Sequence, residues 1–323
     1  MPKVLILKGE ELEVLLKPEL LVNEIAQAFK AFSEGKTITP PRTVMWVEGN
    51  WWGIMQSHVP GYGVGVKIVN IVRENVKRGL PTIQAIVNLF DPVTGSPLAV
   101  MEGGVLTALR TAAASAVSAK YMTPKEPGAL AIIGTGYQAR YQLKFVSAFF
   151  KPTEVRIFDL REDAMKKFRE YAEGLGFKVV TCSSSSEAID GARVIIEAST
   201  TDTPVVYGNY LKPPVHIISI GAHTPNARAL DDDVIRNAES IVVDSRDAVL
   251  KETGDIRVPI EKGIISLDNI AELGEVVAGT KPGRVGDGIT IFKSVGLAIQ
   301  DACAAALAYR LAKEKGVGTT VDL

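Results

Sequence analysis

Cysteine and histidine are scarce in this 323-residue chain, and neither sign of charge dominates. The two cysteines, Cys182 and Cys303, stand far apart in serine-rich or apolar surroundings with no histidine near them in sequence. That excludes a paired metal-ligand spacing and a disulfide framework, and it reads as two inert thiols of a reducing compartment. Lys and Arg number 36 against 37 Asp and Glu, a formal net charge of −1, with no block of like charge. A basic field for nucleic acid is therefore missing. No run of eighteen apolar residues occurs, and the N-terminal MPKVLILKGE lacks the length and cleavage pattern of a signal peptide. The expectation is a soluble cytoplasmic protein that engages neither nucleic acid nor membrane. Internal repeats are absent as well, which rules out a linker made of them.

What is present supports a sizeable core, since 46% of residues are apolar. The length exceeds what one core usually serves, so two domains are expected. The first 122 residues mix elements: a short strand VLIL, then a helix from about Pro18 to Ser33 whose Leu21, Ile25, Ala28, Phe29 and Phe32 recur at helical spacing. Four runs resembling antiparallel strands follow, TVMWVEG, WWGIMQSHV, GVGVKIVNIV and TIQAIVNLFD, set off by Gly, Pro and Asn turns. An alanine-rich helix is expected from about Thr107 to Tyr121. After MTPKEPG the rhythm turns to alternating strand and helix, with strands at 129–133, 155–158, 178–181, 194–197, 216–220 and 241–243. That alternation is the pattern of a doubly wound parallel sheet. The Ser183–Ser186 tract suits the start of a short helix, where serine is a good N-cap. From Asp287 a strand and a long alanine-rich helix close the chain, the helix expected to pack back on the first domain. The overall expectation is an α/β protein: a Rossmann domain at 123–294 inserted into an α+β domain made of 1–122 and about 295–323, with a site in the cleft between them.

Within that frame ALAIIGTGYQA, residues 129–139, is the GxGxxA form of a dinucleotide-binding turn. Gly134 serves the tight turn, Gly136 lets backbone approach a pyrophosphate, and Ala139 permits close packing of helix on strand. The helix N-terminus offers free N–H groups to phosphate. Tyr137 and Gln138 lie inside this turn, Gln138 over the pyrophosphate. Asp159 ends the next apolar run, VRIF, where a carboxylate that binds ribose hydroxyls is expected. Such a carboxylate repels a 2′-phosphate, so NAD(H) is expected ahead of NADP(H), with Arg161 partly offsetting the repulsion. Thr200 and Thr201 follow the strand VIIEA, where the chain borders the cofactor or simply forms a loop with hydroxyls.

Several long segments are similar to the ornithine cyclodeaminase and mu-crystallin family. They are PPRTV, GVKIV, LPTIQAIVNLFDPVTGSPLAVMEGG, LTALRTAAASAVSAKY, GTGYQA and ITIFKSVGLAIQD, in that order over nearly the whole chain. The resemblance implies an N-terminal substrate and dimerisation domain joined to a Rossmann domain, hence a homodimer. It implies an oxidoreductase acting on a small imino or amino acid. By resemblance Arg42, Lys67 and Arg110 grip the substrate carboxylate, a task for arginine forks and a lysine point charge. Arg110 would also reach the cofactor, and Thr82 and Ser294 match positions near the nicotinamide. Lys67 in an apolar strand and Arg110 at the head of an alanine helix would be costly charges without partners.

The loop SIGAHTPNARALDDD departs from the family pattern. Members that deaminate ornithine carry an aspartate where this chain has His223, so cyclodeaminase activity is in doubt. His223 is either an acid/base titrating near neutrality or a loop residue without a chemical role. His216 reads as a satisfied core histidine, and His58 has no clear role. Trp46, Trp51 and Trp52 cluster about the Gly49 turn, as a pocket wall or as part of a dimer-forming sheet. The function expected is NAD(P)H-dependent reduction of a cyclic imino acid, Δ1-pyrroline-2-carboxylate to L-proline, with Lys67 and His223 in the chemistry. Its rivals are alanine dehydrogenase, ornithine cyclodeaminase and a non-catalytic binding protein like the mu-crystallins. No metal is expected.

Overall fold

The computed structural model describes residues 3–322, apart from the side chain of Val76. In chain order it runs β1 (Lys3–Leu7), α1 (Gly9–Leu15), α2 (Pro18–Ser33), β2 (Thr43–Val47), β3 (Asn50–Val59), β4 (Gly63–Ile71), β5 (Ile83–Phe90), β6 (Pro97–Glu102) and α3 (Gly103–Met122). Then come β7 (Leu130–Ile133), α4 (Tyr137–Val146), β8 (Val155–Phe158), α5 (Glu162–Gly174), β9 (Val179–Thr181), α6 (Ser185–Ile189), β10 (Val194–Glu197) and β11 (Val215–Ser219). The remainder is α7 (Asp232–Arg236), β12 (Ala238–Val243), α8 (Arg246–Glu252), α9 (Gly254–Glu261), β13 (Ile270–Glu272), α10 (Leu273–Ala278), β14 (Ile289–Lys293), α11 (Ala298–Lys315) and β15 (Thr319–Asp322). Two compact units emerge, residues 1–114 with 296–323, and residues 115–295.

The first unit holds a seven-stranded sheet in the order β15-β1-β6-β5-β4-β3-β2, antiparallel except for β1 beside β6. Period-two alternation buries Gly53, Met55, Ser57 and Val59 of β3 and Gly65, Lys67 and Val69 of β4 on one face. Helix α11 covers that face and packs on α2. Its alanines allow a close approach: a Cβ at Gly65 would lie 2.6 Å from Cα of Ala302.

The second unit is a fully parallel eight-stranded sheet, order β13-β12-β14-β11-β10-β7-β8-β9, with helices between the strands. Leu130–Ile133 and Val194–Glu197 are buried throughout, as strands covered on both faces must be. The sheet grows outward in both directions from β7 and β10, which makes a topological switch point between them. Ser184 caps α6 by accepting from the Glu187 N–H at 3.1 Å.

Some elements differ from the sequence expectation. Helix α3 starts at Gly103 instead of Thr107, because Glu102 accepts from the N–H groups of Gly104 and Val105, both at 2.7 Å. Helix α1 and strands β6, β13 and β15 were not expected. They are short, and β15 is exposed at every residue, so no apolar alternation marks it. No described helix is long and apolar enough to cross a membrane.

Candidate functional site

In the first unit two cations, Lys67 and Arg110, close on one acid, with Arg42 near them. Lys67 is fully buried, with Nζ 3.0 Å from Oδ1 and 2.9 Å from Oδ2 of Asp301, and 3.4 Å from the Thr107 hydroxyl. Arg110 donates Nε to Asp301 Oδ1 at 3.0 Å and Nη1 to Gln300 Oε1 at 2.8 Å. Arg42, half-buried, donates Nη2 to the Gly296 carbonyl at 2.6 Å. A Cβ at Gly296 would sit 2.7 Å from Nη1 of Arg110, so only glycine lets this guanidinium lie against the chain there. Burial, and next the Arg110 charge, bring the Lys67 pKa down to about 7 in spite of Asp301, with Arg42 acting in the same direction. Burial alone would raise Asp301, but Arg110 and Lys67 hold it below the usual carboxylate range. Lys67 and Arg110 share the single carboxylate of Asp301, which leaves a cluster that a carboxylate ligand would balance.

Beside this cluster the sheet register lays out an apolar shelf. Met55, Lys67 and Val87 form one cross-strand row on the inner face, Gly53, Val69 and Ala85 the next, and Trp51, Ile71 and Ile83 the one after. Trp51, Met55, Val69, Ala85 and Ala298 pack together. The Trp51 indole lies over Gly53, where any Cβ would collide with the ring. The three tryptophans thus divide: Trp51 pairs with Trp46, which is 71% exposed, while Trp52 pairs with Met45 on the opposite face.

The second unit carries the nucleotide features. Gly134 has φ +89° and its missing Cβ would lie 2.8 Å from the backbone of Ala198 and Ser199, so the turn presses against the end of β10 at the switch point. A Cβ on Gly136 would meet nothing within 4 Å among the described residues, and Gly136 caps α4 without a side-chain hydrogen bond. Its helix N–H groups are thus suited to phosphate. Tyr137 is exposed, and buried Oε1 of Gln138 has no partner among the described residues. Ala139 is buried. Asp159 braces the turn, its Oδ2 accepting from Thr135 N at 2.7 Å and Oγ1 at 3.1 Å, and its Oδ1 from Arg161 N at 3.0 Å. A carboxylate with about four lone-pair sites still has capacity for ribose hydroxyls. These residues fit a dinucleotide.

The other sequence candidates are scattered. Thr82 precedes β5, its carbonyl accepting from Val72 N at 2.8 Å. Ser294, buried, donates to Asp244 Oδ2 at 2.9 Å. Thr200 is exposed, and Thr201 closes on its own loop through Thr203. His223 is exposed in the loop after β11. His216 is a core residue: its ring nitrogens lie 2.9 Å from the Thr290 hydroxyl and 3.2 Å from that of Ser118, and burial lowers its pKa to about 3. His58 pairs its backbone with Ile38. Asp301, Gln300, Asp244, Glu197 and Lys293 were not singled out from the sequence. The available signal was a charge inside a buried run, VIIE, ITIFK or IQDACAAA.

A doubly wound sheet with a glycine turn and an acid closing its next strand defines a nucleotide-dependent protein. A buried cation cluster beside an apolar shelf makes it one that handles a small carboxylate. The chain belongs to the ornithine cyclodeaminase/mu-crystallin family, whose sequence profile matches residues 3–316. It is 38% identical to an alanine dehydrogenase of Archaeoglobus fulgidus over 99% of this chain and 98% of that one. Among solved structures it is similar to the Δ1-pyrroline-2-carboxylate reductase of Thermococcus litoralis in complex with NADH and L-proline. Identity there is 41% and the TM-score 0.94, over 98% of this chain and 100% of that one. An archaeal alanine dehydrogenase dimer with bound NAD gives a TM-score of 0.93 at 36% identity, covering 99% of each chain.

Proposed function

We propose that this protein is an NAD(P)H-dependent reductase of cyclic imino acids, converting Δ1-pyrroline-2-carboxylate to L-proline. The observation that carries the proposal is the pair of buried cations, Lys67 and Arg110, on the single acid Asp301, with Arg42 on the nearby Gly296 carbonyl, next to an apolar shelf. The cations grip the substrate carboxylate and fix the imine carbon by positioning. Successive inner rows are about 7 Å apart at the usual strand rise. A five-membered ring whose carboxylate sits at the Lys67 row therefore lies over Gly53, Val69 and Ala85, closed by Trp51. The shelf has no carboxylate for a second ammonium group, which disfavours ornithine. The nicotinamide, when bound, supplies hydride to the imine carbon; Thr82 and Ser294 are proposed beside it, and Arg110 touches both ligands. The proton on the ring nitrogen is maintained by Lys67, whose pKa is near neutrality, or by His223.

Gly134, Gly136, Tyr137, Gln138 and Ala139 would cradle the pyrophosphate, with Thr200 and Thr201 at the border of the cofactor. Asp159 favours NADH over NADPH and Arg161 softens the preference. A homodimer in the cytoplasm is part of the same proposal: the outer face of the first sheet exposes Ile68 and Ile86, paired across β4 and β5, and the similar archaeal enzyme is a dimer. Likeness to the Archaeoglobus enzyme supports a second reading, reductive amination of pyruvate. NADH oxidation followed with pyrroline-2-carboxylate, then with pyruvate plus ammonium, separates the two. Ornithine consumed with release of ammonia and no net change in NADH would overturn both.

A further inference from the structure

A second set of buried charges lies at the carboxyl ends of β10, β11 and β14, and no step of the proposed reaction uses it. Glu197, Lys293, Asp255 and Ser219 are each fully buried. Glu197 Oε1 accepts from Ser199 N at 2.9 Å and Ser199 Oγ at 2.6 Å, while Oε2 accepts from Ser219 Oγ at 2.9 Å and Gly221 N at 3.2 Å. Lys293 donates to Ser219 Oγ at 3.1 Å and to the Gly221 carbonyl, and pairs with Asp255 at 2.9 Å. Asp255 in turn accepts from the N–H groups of Ala229 and Leu230 at 2.7 and 2.9 Å. Burying such groups costs stability unless they are fully paired, so their presence calls for a reason beyond packing.

The geometry supplies one. Both backbone groups of Gly221 are held by opposite charges from the two neighbouring strands, its N–H by Glu197 and its C=O by Lys293. A Cβ at Gly221 would lie 2.5 Å from Glu197 Oε1, so the carboxylate fits only beneath a glycine. The next residue, Ala222, is buried with φ +54°, a left-handed conformation that is unfavourable for a non-glycine residue and needs its surroundings to enforce it. His223 follows directly. The loop returns through Thr224, whose carbonyl accepts from Gly254 N at 3.2 Å and Ala227 N at 3.1 Å. The same Glu197 also fixes Ser199, which abuts the Gly134 turn.

We infer that Glu197 and Lys293 form a positioning clamp on Gly221 that sets the loops after β10 and β11, 199–201 and 222–226, and through the second presents His223. The link to turnover rests on the role given to His223 above; the clamp itself does not.

Glu197→Gln is the sharpest variant, because all four neighbours of this carboxylate donate and a glutamine NH₂ would face a donor. In the folded variant, amide exchange at 219–224 and 199–201 is expected to accelerate at least about tenfold while the rest of the sheet stays protected. In a double-mutant cycle Glu197→Gln and His223→Ala should each lower kcat about tenfold or more, and together little more than either alone. Unchanged exchange in those segments overturns the clamp. Faster exchange with fully additive kinetic losses overturns its action through His223. A His223→Ala variant with normal turnover overturns the role of His223, while the exchange data still decide the clamp. If Glu197→Gln does not fold, Ser219→Ala removes the bridging hydroxyl, keeps both charges, and is read by the same measurements.

Discussion

Two buried charge clusters, one in each unit, are composed oppositely. At Lys67 two cations, Lys67 and Arg110, share one acid; around Lys293 there are one cation and two acids. The acid excess at Glu197 and Asp255 is closed by N–H groups of Ser199, Gly221, Ala229 and Leu230, so its partners come from the protein's own backbone. Among the described residues the cation excess at Lys67 and Arg110 meets one carboxylate, Asp301, and the neutral oxygens of Gln300 and Thr107. A cluster completed from within serves as scaffold. One left with surplus charge of one sign is poised for a ligand of the other sign, and the difference lies in the accounting of partners, since Lys67, Arg110 and Asp301 are buried as Glu197, Lys293 and Asp255 are.

The contrast is broken most strongly by removing the lysine from each. Lys67→Met should lower kcat/KM by about three orders of magnitude, the roughly 4 kcal/mol expected for a desolvated charge contact to a carboxylate. Its stability should hold, since Asp301 keeps Arg110. Lys293→Met should instead cost about 3–5 kcal/mol in denaturant unfolding, because two acids are left without a cation. If Lys67→Met destabilises as much as Lys293→Met, the two clusters are both scaffold and the comparison fails. The next effect in size is at Asp301. Asp301→Asn leaves Lys67 and Arg110 without their acid and should cost about 3 kcal/mol, and L-proline should raise the midpoint of thermal unfolding more in this variant than in the natural protein. An equal or smaller proline shift would mean that the ligand does not supply the missing charge.

How much of this was legible beforehand depends on distance along the chain. The glycine turn, Asp159 and the strand-helix alternation are local signals, and they lead directly to the parallel sheet. Lys67 and Arg110 stood out because a charge in an apolar strand or an alanine helix needs a partner. That partner, Asp301, lies 234 and 191 residues away and carries the same mark, a lone acid in IQDACAAA, yet nothing local joins the three. Glu197 and Lys293 end runs that are otherwise uncharged and mostly apolar, and a charge at a strand end passes easily for the start of a loop. The face on which Trp51 lies follows from the register of β3 against β4, which a hairpin turn sets and composition does not. Strand β15, exposed throughout, left no pattern at all.

The smallest expected effect is in the pH dependence of the two clusters' basic groups. Lys67 faces Asp301, Arg110 and Arg42, and its pKa falls from 10.5 to about 7 chiefly through burial and the Arg110 charge. It is therefore charged below about pH 7 and neutral above, so its hold on a carboxylate is present at low pH and lost as pH rises. The kcat/KM profile should show a limb near pH 7, falling toward tenfold per unit, that Lys67→Met abolishes. Substrate carboxylate favours the ammonium, so the limb in kcat should lie at higher pH than that in kcat/KM. The sign for stability is opposite. Between about pH 7 and 10.5 the unfolded chain carries a proton at this lysine that the folded chain does not, so this group makes stability increase with pH across that window. Lys293→Met, in the acid-rich cluster, should leave the pH 7 limb in place. A limb that survives Lys67→Met but disappears with His223→Ala would move the titrating group from the first unit to the second.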